Sequence, residues 1–281
     1  MNELIEVKKL SRIVVVRGAG DLSTAVIHKL HKSGYKVIAL EIEKPQAIRR
    51  QVSFCEAVYE GEVEVEGVRC KLCDDLDEIK NVLDEEKVPL IIDPQCQTLS
   101  KIQPDVLVDA IIAKYNVGTN MSMAPTTIAL GPGFCAGKDV DMVIETMRGH
   151  NLGRIITNGD AMANTGEPGA IGGFTKERVM YASCEGIIEN VSKVGDVVEK
   201  DQLLAYIRND ETGEKHEIRA TIDGVLRGLL KDGLYVKNKL KILDIDPRVK
   251  EVNNSFTISD KGRCIAGGVL EAILRRKILP Y

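Results

Sequence analysis

The chain has 281 residues, 44% hydrophobic and 28% charged, with a formal net charge of −4. This composition supports one large domain or two unequal ones and excludes wholesale disorder, while the acidic balance and the lack of Trp argue against nucleic acid as a partner. No apolar run reaches the ~18 residues of a membrane span, MNELIEVKKL lacks a signal-like apolar stretch, and seven cysteines are an odd number spread along the chain. Reduced thiols, no membrane role and a cytoplasmic location are therefore expected.

Residues 13–16 (IVVV) predict a β-strand, followed by Arg17-Gly18-Ala19-Gly20-Asp21. Leu22, Ala25, Val26 and Leu30 have helical spacing up to Gly34, and Val37 to Ile42 reads as a second strand ending in Glu41 and Glu43. Strand, glycine turn, helix and strand make most of a dinucleotide-binding fingerprint. Gly18 permits the tight turn, Gly20 admits a pyrophosphate, and the amides near Asp21 face the anion. Glu41 or Glu43 is the carboxylate placed to meet a ribose hydroxyl. Ser23 replaces the third glycine, which predicts slightly looser packing of helix on strand. The other reading is a tight βα turn that binds nothing.

Further strands are expected at Val88–Ile92, at Asp105–Ile112 and at Thr126–Leu130. Polar loops follow the last two: Ala113 to Thr119, which contains Lys114, and Gly131-Pro132-Gly133-Phe134-Cys135-Ala136-Gly137. Loops at carboxyl ends of parallel strands share a crevice, so these are expected to converge with the first glycine turn. Apolar Val140, Val143, Ile144 and Met147 predict a helix over Asp139–Met147, ending at Gly149. A P-loop is disfavoured, since Pro132 stands where its first glycine belongs and Asp139 where its Ser/Thr belongs.

Glu145, Arg148, His150 and Arg154 could grip an anion and exchange protons with it, although a solvated helix face with an internal ion pair explains the same residues. Cys135 is expected to have a lowered pKa beside Lys138 at a helix start; the alternative is a small side chain packed in a turn. A single Cys70-x-x-Cys73 pair does not predict a zinc site, and no metal site is assigned. The loop from Asn158 to Gly173 reads as a hinge or a ligand cover.

An internal repeat follows. Glu185-Gly186-Ile187 is matched by Asp223-Gly224-Val225, and the same shift relates Gly195 to Gly233, Val198 to Val236 and Ile207 to Ile245. Each copy is too small to close a core, so the two must interlock. The pattern resembles the barrel-sandwich hybrid of biotinyl and lipoyl carriers. Lys215 lies in the central hairpin Arg208–Glu217 without the flanks of a modified lysine, so a docking or structural module is expected. From Ser259 to Ile278 a helix is expected, capped by Asp260.

Several motifs together resemble YqeB-type proteins of the selenium-dependent molybdenum hydroxylase system. They are RGAGDL at Arg17–Leu22, DAIIAKYNVGT at Asp109–Thr119, ALGPGFCAGKDVDMVIETMRGHNLGR at Ala129–Arg154, TGEPGAIGGFTKERV at Thr165–Val179, GVLRGLLKDG at Gly224–Gly233 and SDK…AGGVLEAIL in the tail. In part they are similar to xanthine dehydrogenase accessory factors, with a Rossmann-like domain. The resemblance implies an accessory role in maturing molybdenum hydroxylases, with a client hydroxylase or cofactor-assembly proteins as partners. Its implied ligand is a molybdopterin-type nucleotide held by Gly18, Gly20, Asp21, Lys114, Gly131, Gly133, Gly137, Arg148 and Arg154. Cys135 would carry sulfur or selenium.

The expected fold is α/β: a Rossmann-like parallel-sheet domain over 1–175, a barrel-sandwich-hybrid-like β domain over 176–248, and a segment over 249–281 whose helix docks on the first domain. An NAD(P)-dependent oxidoreductase using His150 as acid/base, and a non-catalytic scaffold docking a molybdoenzyme, stay open beside the accessory role. So do homo-oligomerisation and whether any bond is made or broken.

Overall fold

The structure, a computed structural model, describes residues 12–167 and 169–280. The chain forms two compact units, one from the residues up to Pro45 with Ser53–Thr165 and those from Ile258 onward, the other from Gln46–Val52 and Gly166–Thr257.

In the first unit, β1 (Ile13–Arg17), β2 (Lys36–Glu41), β3 (Glu62–Val65), β4 (Val68–Leu72), β5 (Val88–Ile92), β6 (Val106–Asp109), β7 (Thr126–Leu130), β9 (Met142–Ile144) and β10 (Ile155–Ile156) form one sheet. β8 (Cys135–Ala136) and β11 (Gly159–Asp160) pair separately. The order in the large sheet is β10-β9-β7-β6-β1-β2-β5-β4-β3. Strands β9 to β4 in that order run parallel, and β10 and β3 are antiparallel edges. β1 is buried along its whole length, as a run of β-branched residues covered on both faces should be.

Helices α1 (Asp21–Lys32), α2 (Ala57–Glu60), α3 (Leu76–Asp84), α4 (Leu99–Ile102) and α5 (Asp260–Arg275) accompany it. α5 packs on α1 and also reaches β7, β9 and β10. Among the described residues, no helix is long and apolar enough to cross a membrane.

Two expectations fail locally. Asp139–Met147 is not a helix but contains β9, whose Met142, Val143 and Ile144 are all buried. The cap of α5 is Ser259, whose Oγ accepts from the Gly262 amide at 3.1 Å, rather than Asp260.

The second unit holds β12 (Val179–Tyr181), β13 (Gly186–Asn190), β14 (Val197–Val198), β15 (Leu203–Arg208), β16 (Lys215–Arg219), β17 (Gly224–Leu229), β18 (Tyr235–Val236) and β19 (Lys241–Asp246). They form two antiparallel sheets, β12-β19-β17-β14 and β16-β15-β13-β18. The repeat is visible in the pairing. β14 of the first copy pairs with β17 of the second, and β18 of the second with β13 of the first. Ile188, Leu204, Ile207, Leu226, Ile242 and Ile245 fill the shared core.

The expected Rossmann-like parallel sheet joined to a barrel-sandwich hybrid is thus corrected to one large mixed sheet and separate antiparallel sheets. The β3–β4 hairpin and β10 make the edges antiparallel, and the β7–β9 crossover carries no helix. Outer strands β12 and β16 obey the repeat as well, since Val179, Met180 and Tyr181 pair with Asp244, Leu243 and Lys241 as Glu217, Ile218 and Arg219 pair with Tyr206, Ala205 and Leu203. Lys215 lies in the expected hairpin, opening β16 opposite Arg208, with its Nζ paired with Glu189 at 2.6 Å.

Candidate functional site

The sheet order reverses between β1 and β6, so loops from both strands meet at one carboxyl edge. A buried polar network ties them. Arg17 and Asp109 are register partners across these strands, with Arg17 Nη1 3.5 Å from Asp109 Oδ2. The Thr119 hydroxyl donates to Asp109 at 2.6 Å and accepts from Arg17 at 2.9 Å, and Arg17 also donates to the carbonyls of Pro94 and Val117. Burial pushes the Asp109 carboxyl up, and the Thr119 hydroxyl, the Ile111 amide and Arg17 oppose that. The sequence signal for this pair is a charge closing each of two buried apolar runs, IVVVR and VLVD.

The first glycine turn is closed by its neighbours. Ser23 Oγ donates to the Ala110 carbonyl at 2.7 Å, locking α1 to the β6 loop where looser packing was expected. At Gly18, with φ of +99°, a methyl group would lie 3.2 Å from the Ile111 backbone. The Gly18 amide donates to Leu40 O at 2.7 Å, and the Ala19 amide to Glu41 Oε2 at 2.8 Å. Glu41 therefore caps the turn itself. Burial raises its pKa, against the pull of the Ile42 and Ala19 amides.

The second turn repeats the pattern. The amides of Gly131 and Gly137 donate to the carbonyls of Ile144 and Val140, and that of Cys135 to Asp139 Oδ2 at 2.8 Å. A methyl group on Gly133 would meet the Tyr115 backbone at 2.6 Å, so the loops after β6 and β7 do touch, yet through packed backbone. A hydrogen bond to Asp160 raises the Cys135 pKa, as do burial and the nearby carboxylates, against Lys138. The expected lowering fails because no helix begins there.

The remaining expected residues separate. Glu145 is buried and accepts from the amides of Met147 at 2.7 Å and Met162 at 2.8 Å, pinning a loop. Lys114 and His150 are exposed, and Arg154 donates to Asn151 at 3.2 Å. Arg148 pairs with Asp260 at 3.2 Å.

That last pair marks a group that sequence reasoning missed. Lys261, in the first turn of α5, is part-buried and feels the charges of Arg148, Asp21, Glu145 and Asp260. Asp21 opens α1 after β1 and Glu145 follows β9, so Lys261 lies at the same carboxyl edge. Burial and the Arg148 guanidinium hold the Lys261 ammonium below the usual lysine range, with the three carboxylates pulling back. It makes no hydrogen bond or ion pair among the described residues. Its seat is tight, since a methyl group at Gly262 would lie 2.9 Å from Ala25 Cβ on α1. A signal was present: a cation in the first turn of a helix opposes the helix dipole. Among the described residues no cluster of three or more His, Cys, Asp or Glu is arranged to hold a metal.

No family model matches the chain. It is 48% identical over 263 residues, 94% of its length, to the uncharacterized protein YqeB of Escherichia coli (strain K12), which supports the YqeB-type resemblance. The chain spans about half, 47%, of that relative.

Among solved structures, the ectoine utilization protein EutE (DoeB) from Ruegeria pomeroyi matches at 13% identity, with 84% of this chain and 85% of that one covered and a TM-score of 0.27. A succinylglutamate desuccinylase/aspartoacylase from Rhodobacter sphaeroides matches at 13% identity, with the same coverage and a TM-score of 0.28. An aspartoacylase family protein from Mesorhizobium loti matches at 8% identity, again with the same coverage and a TM-score of 0.29. Likeness at this level transfers no activity to the chain.

The expected accessory role in molybdenum hydroxylase maturation is corrected on these findings. The comparison supports the YqeB-type resemblance but not that role, since the matching relative is described as uncharacterized. In the two turns expected to cradle NAD(P) or a molybdopterin-type ligand, Glu41 and Asp139 occupy one amide each, those of Ala19 and Cys135.

Proposed function

We propose that the chain binds a small organic anion at the carboxyl edge of its large sheet, where Lys261 and Arg148 meet it. The observation that supports this reading is the unpaired, part-buried Lys261 ammonium. A desolvated cation without a partner is costly, and a guest carboxylate or phosphate removes that cost. Arg148 adds a planar fork beside it, and Gly20 opens α1 without a side-chain cap over the first-turn amides.

Calorimetry of the full chain with malonate and with phosphate tests the reading. Saturable binding of one of them is expected, weakened about tenfold or more in Lys261→Met, with an unchanged circular dichroism spectrum. Absence of saturable binding for both anions ends the reading.

A further inference from the structure

We propose that the cleft between α3 and α4, on one face of the large sheet, binds a free aliphatic α-amino acid of leucine size. The inference goes beyond the anion site at Lys261 and does not depend on it. Two adjoining cavities carry it.

The larger cavity, about 680 Å³, lies at the carboxyl ends of β4 and β5, and its volume is that of a small-molecule site. Asp74, Asp77, Thr98 and Lys101 supply its polar lining. The smaller, about 70 Å³, is walled by Ile13 of β1, Ile38 of β2, Ile79 and Leu83 of α3 and Ile102 of α4. Leu76 and Lys101 line both, so the two adjoin. The gap has a structural cause. Leu76, Ile79 and Leu83 form one stripe of α3 at i, i+3, i+7 spacing, whereas α4 is a single turn and leaves a space over Ile13 and Ile38. Packed interiors hold few voids of this size, and an apolar one takes a hydrocarbon guest more readily than water. Its volume is roughly half the ~150 Å³ that holds a benzene ring, which selects a short branched chain over an aromatic one.

The polar lining selects the head group. The Asp93 carboxylate fixes this wall by accepting from the Gln97 amide at 2.9 Å, the Thr98 amide at 2.8 Å and the Thr98 hydroxyl at 2.6 Å. With its proton given to Asp93, the Thr98 hydroxyl can only accept from a guest, which suits an ammonium. The side chains of Asp74, Asp77 and Lys101 make no hydrogen bond or ion pair among the described residues. Carboxylates and an ammonium in one cavity, beside an apolar one, match a zwitterion with a hydrocarbon side chain. The guest ammonium meets Asp74, Asp77 and Thr98, its carboxylate meets Lys101 where the cavities join, and its side chain enters between Ile79 and Ile102.

Calorimetry of the full chain with L-leucine, L-alanine and isoamylamine, which is leucine without its carboxylate, tests the proposal. Saturable L-leucine binding is expected. L-alanine should bind roughly tenfold or more weaker, at about fourfold for each methylene lost, and isoamylamine about tenfold weaker for want of the contact to Lys101. Lys101→Met and the double variant Asp74→Asn/Asp77→Asn change exposed side chains, and each should weaken L-leucine about tenfold with an unchanged circular dichroism spectrum. Lys261→Met should leave L-leucine binding as it is, and Lys101→Met should leave malonate binding as it is, so the two sites are tested separately. Absence of saturable L-leucine binding overturns the proposal. So do equal affinities for L-leucine and L-alanine, isoamylamine binding as tightly as L-leucine, or L-leucine binding that neither variant weakens.

Discussion

Arg178 and Lys261 are both cations set into folded protein, and they differ in what faces them. Arg178 Nη1 meets Asp244 at 2.6 Å with both side chains buried, whereas Lys261 meets no carboxylate closely. Removing one member of a buried pair strands the other, so Arg178→Ala should cost about 3–5 kcal/mol in urea unfolding. Lys261→Met in the ligand-free protein should instead raise the melting temperature, because it deletes a desolvated charge without leaving a partner unpaired.

Two carboxylates should pull the pH profile in opposite directions. Burial alone would raise the Asp93 pKa, but the Thr98 hydroxyl and amide and the Gln97 amide hold it below the usual range. Its stabilisation is present above the unfolded value near ~4 and is lost as pH falls through the native one. Glu41 is raised, so its contribution is present below its unfolded value and is lost as pH rises through the native value. Asp93→Asn should therefore flatten the acid limb of stability against pH, measured by urea titration at a series of pH values. In the sequence Asp93 reads only as a strand stop before Pro94; its role as a loop cap depends on amides that the chain brings round four and five residues later.

Adjacent glycines in α5 separate propensity from packing. Nothing lies within 4 Å of a methyl group added at Gly267, so Gly267→Ala should stabilise the helix by about 0.5–1 kcal/mol. At Gly268 the same methyl would run into the Gly153 carbonyl, a backbone atom that cannot swing away, so Gly268→Ala should destabilise despite the better propensity. Thermal melts of the two variants should shift in opposite directions. Close packing at this glycine pair thus belongs to the second residue alone.

Helices α1 and α5 are legible because each has one apolar stripe with polar residues opposite. The β9 segment is not, because Val140, Val143, Ile144 and Met147 fit helical spacing while Met142 to Ile144 form a short strand buried throughout. Once that element changes, Arg148 no longer stands on a helix with Glu145, and the site regroups around Lys261. The sequence places both glycine turns at strand ends, but which amides are engaged depends on Glu41 and Asp139 folding back onto them.

At the scale of the molecule, the repeat is the feature that sequence and backbone share most closely. Asp201 and Lys239, one repeat apart, both adopt left-handed backbone, with φ of 67° and 66°. A methyl group at Gly186 would strike the Arg208 carbonyl oxygen, and one at Gly224 the Asp246 carbonyl oxygen, again one repeat apart. Gly186→Ala and Gly224→Ala should therefore each destabilise by about 1–3 kcal/mol, with closely similar losses in denaturant titrations. The large sheet is less legible as a whole. Its parallel centre follows from the apolar runs, whereas its edges depend on the short hairpin of β3 and β4 and on β10, and two-residue elements carry too little periodicity to be read.

The exchange of β14 and β18 between the two copies bears on how this module could be dissected. A polypeptide cut in the link between the copies would leave each piece holding a short strand whose proper mate is on the other. Neither fragment should fold in isolation, but mixing them should restore the lattice of pairings. A doubled version of one copy could satisfy its own mates only by clasping a twin, so ancestral duplication and present-day fragment complementation pose the same geometric problem.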